Sequence, residues 1–310
     1  MVEKPWGSWN GDGNGMGYEH LPVLAEDVIT HLDPHPNGIY VDGTLGGGGH
    51  ALEILERSAP TGRLVGIDRD GEAIEEARKR LKPYGGRAAI IHGNFSDLRG
   101  ILMGLNIGEV DGILMDLGVS YHQLATGRRG FSFQSEGPLD MRMDQTQGDP
   151  ASKLVNTLPQ RELEEILRGY GEERWARRIA RAIVRYRQEA PITTTAQLRD
   201  IISSAILKPP RRIHPATKAF QAIRIAVNDE LNSLQRAIRD GIPFLKRGGR
   251  ICVISFHSLE DRIVKDTFRH YERALGLVRV ITKKPISPSK GEISTNPRAR
   301  SARLRVAERV

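Results

Sequence analysis

The sequence predicts an α/β fold, a doubly wound and mostly parallel sheet interrupted by an all-helical insertion. Three observations predict it. Short apolar runs alternate with helical patterns up to about residue 125; strand patterning then stops between about Gly127 and Pro215; and it resumes at 250–256.

In order, residues 1–17 are rich in Gly, Asn and Trp and read as a flexible tail. Residues 39–42 (Ile-Tyr-Val-Asp) are a buried strand, followed by a glycine loop and a helix over 50–58. A second strand covers 63–68, and a second helix covers 72–81 with Ala73, Ala77 and Leu81 on one face. Strands three and four fall at 88–92 and 112–116. Two further apolar runs, 277–282 and 302–307, follow the strand at 250–256. The sheet domain is therefore expected at 18–126 and 216–310, with a helical insertion at 127–215 that reads as an RNA-recognition domain. A sheet of this kind binds ligands at the carboxyl ends of its strands.

Composition narrows the function classes. A chain of 310 residues with 39% hydrophobic content can form a packed core. Lys and Arg total 46 against 38 for Asp and Glu, a net charge of +8 that suits a polyanionic partner. The one cysteine, Cys252, excludes an internal disulfide and a cysteine-rich zinc site; it sits in an apolar run as core. The first 17 residues contain no apolar stretch of signal-peptide type, and no segment approaches the ~20 apolar residues of a membrane span. A cytoplasmic protein with no membrane partner is expected.

The loop 42–50 (Asp-Gly-Thr-Leu-Gly-Gly-Gly-Gly-His) lies between a strand and a helix, where glycines let the backbone approach a ligand. Gly46-x-Gly48-x-x-Ala51 satisfies a Rossmann-like dinucleotide pattern, with Asp68 at the end of strand two as acceptor for ribose hydroxyls. Both nicotinamide cofactors and S-adenosylmethionine use this geometry. The second is favoured here, because Asp42 could hold its ammonium group and the amides around Gly46, Gly48 and Gly49 its carboxylate. Phe95, just after strand three, stands where an adenine could be held; core packing explains it equally well.

Asp116 closes strand four beside this loop. An acid there suits methyl transfer to an exocyclic amine, whose lone pair is delocalised into the ring. Hydrogen bonds from the amine to Asp116 would turn that lone pair towards a sulfonium methyl, without a metal. Contact with the cofactor alone accounts for Asp116 equally. Tyr121, Phe131 and Phe133 follow and could stack on an extruded base, or simply fill a core. Three segments are basic. Arg177 and Arg181 lie on one side of an amphipathic helix, Arg211 and Arg212 in a proline-stiffened loop, and Arg298 and Arg300 near the C-terminus. Each could follow an RNA backbone. His214 and His257 lack a second ligand at helical spacing, so no metal is expected.

The stretches 42–50, 116–120, 214–217, 228–230, 255–262 (Ser-Phe-His-Ser-Leu-Glu-Asp-Arg) and 296–301 (Asn-Pro-Arg-Ala-Arg-Ser) resemble the bacterial small-subunit rRNA cytosine-N4 methyltransferase family. The similarity runs from about His20 onwards. It implies a class I methyltransferase fold, S-adenosylmethionine as cofactor, and N4-methylation of a cytidine in the 16S rRNA decoding region near the P site, with the rRNA held within the small ribosomal subunit. It also implies cofactor contacts from Gly48, Gly49, His50, Asp68, Phe95, Asp116 and Gln123. The stretch 116–119 (Asp-Leu-Gly-Val) replaces the acid-Pro-Pro-aromatic motif of DNA amino-methyltransferases, which leaves the base-stacking aromatic unassigned. The alternatives are a methyltransferase of another RNA or of DNA, a nicotinamide dehydrogenase, and a catalytically silent rRNA-binding assembly factor.

Overall fold

A computed structural model describes residues 22–207 and 214–310. The expected tail at 1–17 and the pair Arg211 and Arg212 lie outside the described residues.

Strands β1 (Ile39–Asp42), β2 (Arg63–Asp68), β3 (Ala88–His92), β4 (Val110–Asp116), β5 (Leu245–Ser255), β6 (Val278–Val280) and β7 (Arg303–Arg309) form one sheet. Their order is β3-β2-β1-β4-β5-β7-β6. The first five run parallel, and β7 is antiparallel to both of its neighbours. Val41 is in register with Val65 and Ile113, and Ile113 with Ile251. These residues face one side of the sheet; Tyr40, Leu64, Leu114 and Cys252 face the other, as the two-residue strand period requires. Both faces are covered, which is why the parallel strands read as continuous apolar runs.

Helices α1 (Ala25–Leu32), α2 (Gly49–Arg57) and α3 (Gly71–Leu81) bury Val28, Ile54 and Ala77 against the Tyr40 face. On the Val41 face α4 (Leu98–Gly104) buries Leu98 and Leu102. Each such Leu or Ile contributes about 1.5–3 kcal/mol by leaving water. Cys252 is fully buried, as expected for core, and burial pushes its thiol up to about 12.

Beyond β4 the chain forms α5 (Tyr121–Ala125), α6 (Ala151–Thr157), α7 (Gln160–Gly171), α8 (Ala176–Tyr186), α9 (Thr195–Ala205) and α10 (Thr217–Asn228). On α8, Ala176, Ile179, Ala180 and Ile183 are buried at i, i+3, i+4 and i+7, a helical apolar stripe. A capping box between Thr194 and Gln197 starts α9. The apolar cluster of these helices runs from Phe131 to Ile223. It therefore crosses the expected boundary at residue 216: Ala219, Phe220, Ala222 and Ile223 of α10 pack with the helical segment instead of the sheet. The physical reason lies in Gly171, where a Cβ would meet the Lys218 carbonyl at 2.7 Å and Ala222 Cβ at 3.2 Å; its absence lets α7 and α10 approach closely. The chain then returns to the Val41 face through α11 (Glu230–Gly241) and α12 (Ser258–Arg273), and α13 (Lys290–Thr295) precedes β7.

Candidate active site

The order of strands reverses between β1 and β4, and a cavity of about 540 Å³ opens at the carboxyl ends of β1, β2 and β4. Asp42, Asp68 and Asp116 are the last residues of those strands. The glycine loop spans the gap between them. Gly43 N–H donates to the Leu114 carbonyl (2.8 Å) and Leu45 N–H to the Ile67 carbonyl (2.9 Å), so the loop is pinned to both flanking strands. Gly46 and Gly48 have φ of +51° and +79°, which disfavour any side chain. Gly48 starts α2 without a side-chain cap, and the first turn of α2 carries no acid. Its amides are thus left for an anionic group.

The carboxylates differ in their surroundings. Asp42 is 1% exposed and, among the described residues, accepts only from Thr44, at 3.1 Å from the amide. Burial pushes its carboxyl up to about 7, against the pull of the neighbouring His50. Asp68 accepts Gly46 N–H at 2.7 Å and Asp70 N–H at 2.8 Å; burial still raises its pKa despite these amides. The Asp116 amide donates to Thr44 Oγ1, which ties the end of β4 to the loop.

His50 stands 3.7 Å from Asp116, measured from Nε2 to Oδ2. Both ring nitrogens of His50 and Oδ1 of Asp116 are buried without a hydrogen-bond partner. Burial disfavours the imidazolium, but Asp116 and Asp42 outweigh it and raise the His50 pKa. Buried polar atoms are normally paired, so these mark a place shaped for polar ligand groups. Two buried acids for cationic or hydroxyl groups, free helix amides for a carboxylate, and orphaned acceptors beside them fit an amino-acid-bearing nucleoside such as S-adenosylmethionine. Phe95 lies on the cavity wall, with the Arg69 guanidinium 5.7 Å from its ring centroid.

Gln123 also lines the cavity, but its side chain is already engaged. Its Nε2 donates to Asp70 at 2.7 Å, and its Oε1 accepts Ser120 N–H at 2.9 Å in the box that caps α5. Asp70 belongs to a network that the sequence did not reveal. Arg129 is 1% exposed and donates to Asp70 Oδ1 (3.1 Å), Glu72 Oε2 (3.2 Å) and the Met143 carbonyl (2.9 Å). Asn228 completes it, accepting Met143 N–H at 2.8 Å while its carbonyl accepts from Arg69. These bonds lock the loop following α5 to the residues immediately after Asp68. Asp70 as the N-cap of α3 was the one local signal available.

Of the three aromatic candidates, the structure brings one to the cavity. Phe131 and Phe133 join the helical cluster, Phe133 stacking on His214 at 4.6 Å. Tyr121 is 42% exposed on the cavity rim, with the Arg298 guanidinium 3.8 Å from its ring centroid. Glu230, Phe256 and Glu260 also line the cavity. His257 caps α12 together with Glu260. Arg300 is exposed near Arg298, whereas Arg177 and Arg181 stand exposed on α8 and have no ion-pair partner among the described residues. Among the described residues no group of three or more His, Cys, Asp or Glu could hold a metal, and no helix is long and apolar enough to cross a membrane.

Residues 17–310 match the MraW methylase family. The chain belongs to that family. Its relatives include the ribosomal RNA small subunit methyltransferase H of Geotalea uraniireducens, 54% identical over 94% of this chain and 99% of that one. The protein of the same name from Pelobacter propionicus is 53% identical over 95% and 99%, and that from Syntrophus aciditrophicus 52% over 94% and 98%. Among solved structures, TrmN from Thermus thermophilus aligns with a TM-score of 0.44 and 12% identity, over 93% of this chain and 48% of that one. As an MraW methylase the chain is a methyltransferase, and the sheet with one reversed strand is its class I fold.

Proposed function

We propose that this methylase transfers a methyl group from S-adenosylmethionine to N4 of a cytidine in the decoding region of 16S rRNA, within the small ribosomal subunit. The observation that carries the reading is Asp116: it ends β4 on the cavity wall with a buried, unpartnered Oδ1. Near-full-length identity above 50% to small-subunit rRNA methyltransferases supports the substrate class.

When bound, the cofactor supplies an electrophilic methyl on a sulfonium. Asp42 would hold its ammonium group, the first amides of α2 from Gly49 onwards its carboxylate (Gly48 N–H is taken by the Leu45 carbonyl at 2.8 Å), and Asp68 its ribose hydroxyls, while Phe95 and Gln123 would flank the adenine end. Asp116 accepts an N–H of the cytosine amine, which localises the nitrogen lone pair and orients it for in-line attack. The amine must lose a proton once it is methylated. The Asp116 carboxylate, with His50 Nε2 beside it at 3.7 Å, is positioned to take that proton. Arg177, Arg181, Arg298 and Arg300 contact RNA phosphates. A ribosomal substrate agrees with the cytoplasmic location expected from the sequence.

The test is transfer of labelled methyl to small subunits lacking the modification, followed by nucleoside mass analysis. N4-methylcytidine is the expected product. Labelled product at another atom, or no incorporation into assembled subunits and naked 16S rRNA alike, would reject the reading.

A further inference from the structure

A second cavity, of about 180 Å³, lies between α12, β6 and β7 and shares no lining residue with the active-site cavity. Its wall carries Lys265, Arg269, Arg273, Lys283 and Arg305, with Glu272 as the acid among them. Lys265, Arg269 and Arg273 stand at i, i+4 and i+8 on α12 and so follow one line along the helix. Lys283 comes from the segment after β6, and Arg305 from β7.

The charges are unequally neutralised. Arg305 is buried and held by Asp261, at 2.6 Å from Nε and 3.2 Å from Nη2. Glu272 accepts Val280 N–H at 2.8 Å through one oxygen, and its single negative charge stands against the five cations of the wall. Lys265 has only an exposed neighbour, Asp266, at 3.5 Å. Arg269, Arg273 and Lys283 are exposed and have no ion-pair partner among the described residues. A cation in the last turn of a helix commonly answers the helix dipole, which accounts for Arg273. It does not account for Lys283, contributed from another element, or for a concave site where like charges face one another. Cations placed there favour a phosphodiester, because neutralising its phosphates releases the counterions condensed on the RNA.

We propose that this cavity is a second RNA contact, in which Arg269, Arg273 and Lys283 bind backbone phosphates of the substrate RNA away from the methylated base. The inference rests on the reading of the chain as an RNA-modifying enzyme. Its recognition is of charge and not of sequence, because no aromatic ring other than buried Phe268 lines the cavity.

The experiment measures binding of the full chain to fluorescein-labelled oligouridine across a salt series. It compares the wild type, the triple variant R269A/R273A/K283A, and a control triple R57A/R78A/K79A that removes the same charge from exposed positions on α2 and α3. At about 0.7 per phosphate contact on a single strand, the cavity variant should flatten the slope of log K against log salt by about 2. The control should leave the slope near that of the wild type. An unchanged slope in the cavity variant, or equal flattening in both, overturns the proposal. Calorimetry with inorganic phosphate separates the sources of the anion: saturable phosphate binding that the cavity variant abolishes without altering the RNA slope reassigns the site to a free anion and overturns it too. Wild-type methylation of small subunits is scored in parallel. Methylation with an unchanged slope defeats the cavity proposal alone, whereas a wild type that neither methylates subunits nor binds RNA defeats both.

Discussion

The active-site cavity and the outer face of α8 both depend on charge, and they hold it in opposite ways. At the cavity Asp42, Asp68 and His50 are withdrawn from water; burial raises the two acids, and the neighbouring Asp116 and Asp42 raise His50 against its burial. On α8, Arg177 and Arg181 project into solvent above an apolar stripe that does the folding. Buried charge can be tuned and is costly to disturb; exposed charge is cheap to change and acts only through the sum of weak contacts.

The hardest test of this contrast is Arg129. Arg129→Ala would strand Asp70 in a buried site and should cost about 3–5 kcal/mol of stability. Arg177→Ala should stay within about 0.5 kcal/mol. Denaturant titration of both variants checks the pair, and equal stabilities would erase the distinction. Next in size, Asp116→Ala should slow single-turnover methyl transfer by about 10²–10³-fold while the protein still binds cofactor in calorimetry. A wild-type rate would remove Asp116 from the acceptor site.

Asp42 sharpens the comparison through pH. Its raised pKa means that folding takes up a proton between the ordinary aspartate value of 3.8 and about 7, so this group costs the unliganded protein stability as pH rises through that window. Binding a cofactor ammonium requires the ionised carboxylate. Affinity should therefore climb with pH, by up to about tenfold per unit below about 7, and level off above it. Asp42→Asn should bind weakly with a flat profile; a wild type with equally flat affinity would show that Asp42 does not meet the ammonium. The smallest effect belongs to α8. Arg177→Ala with Arg181→Ala should reduce the salt slope of RNA binding by about 1.4 and leave cofactor affinity alone. An unaltered slope would mark these arginines as merely solvated.

Strands β1, β2 and β4 and the acids that end them were legible because each depends on local pattern: an apolar run, then an acid, then a glycine within three residues. Asp42, Asp68 and Asp116 could be placed at strand ends without knowing which strands were neighbours. The Arg129 network could not, since its acid partners lie 57 to 59 residues away and nothing at Arg129 distinguishes it from exposed Arg128. Gln123 shows the same limit. Its spacing from Ser120 makes it a cap, and only the fold reveals that its amide is spent on Asp70. Tyr121, Phe131 and Phe133 were indistinguishable in sequence because an aromatic ring serves a rim or a core equally well. The boundary at 216 was misjudged for a related reason, as α10 carries apolar residues that either neighbour could bury.

The reversed strand has a consequence for how the molecule is made. Among the described residues β6 has no neighbour in the sheet except β7, and β7 is synthesised after it. While the ribosome is still adding the segment that includes α13, β5 has β4 on one side and an unsatisfied edge on the other, with Ile251, Cys252, Val253 and Ile254 along it. Unpaired edges of that kind recruit other strands. The nascent methylase thus passes through an interval in which its cofactor-side strands can already be assembled and its opposite flank is still adhesive, and that interval closes when the chain doubles back to insert β7.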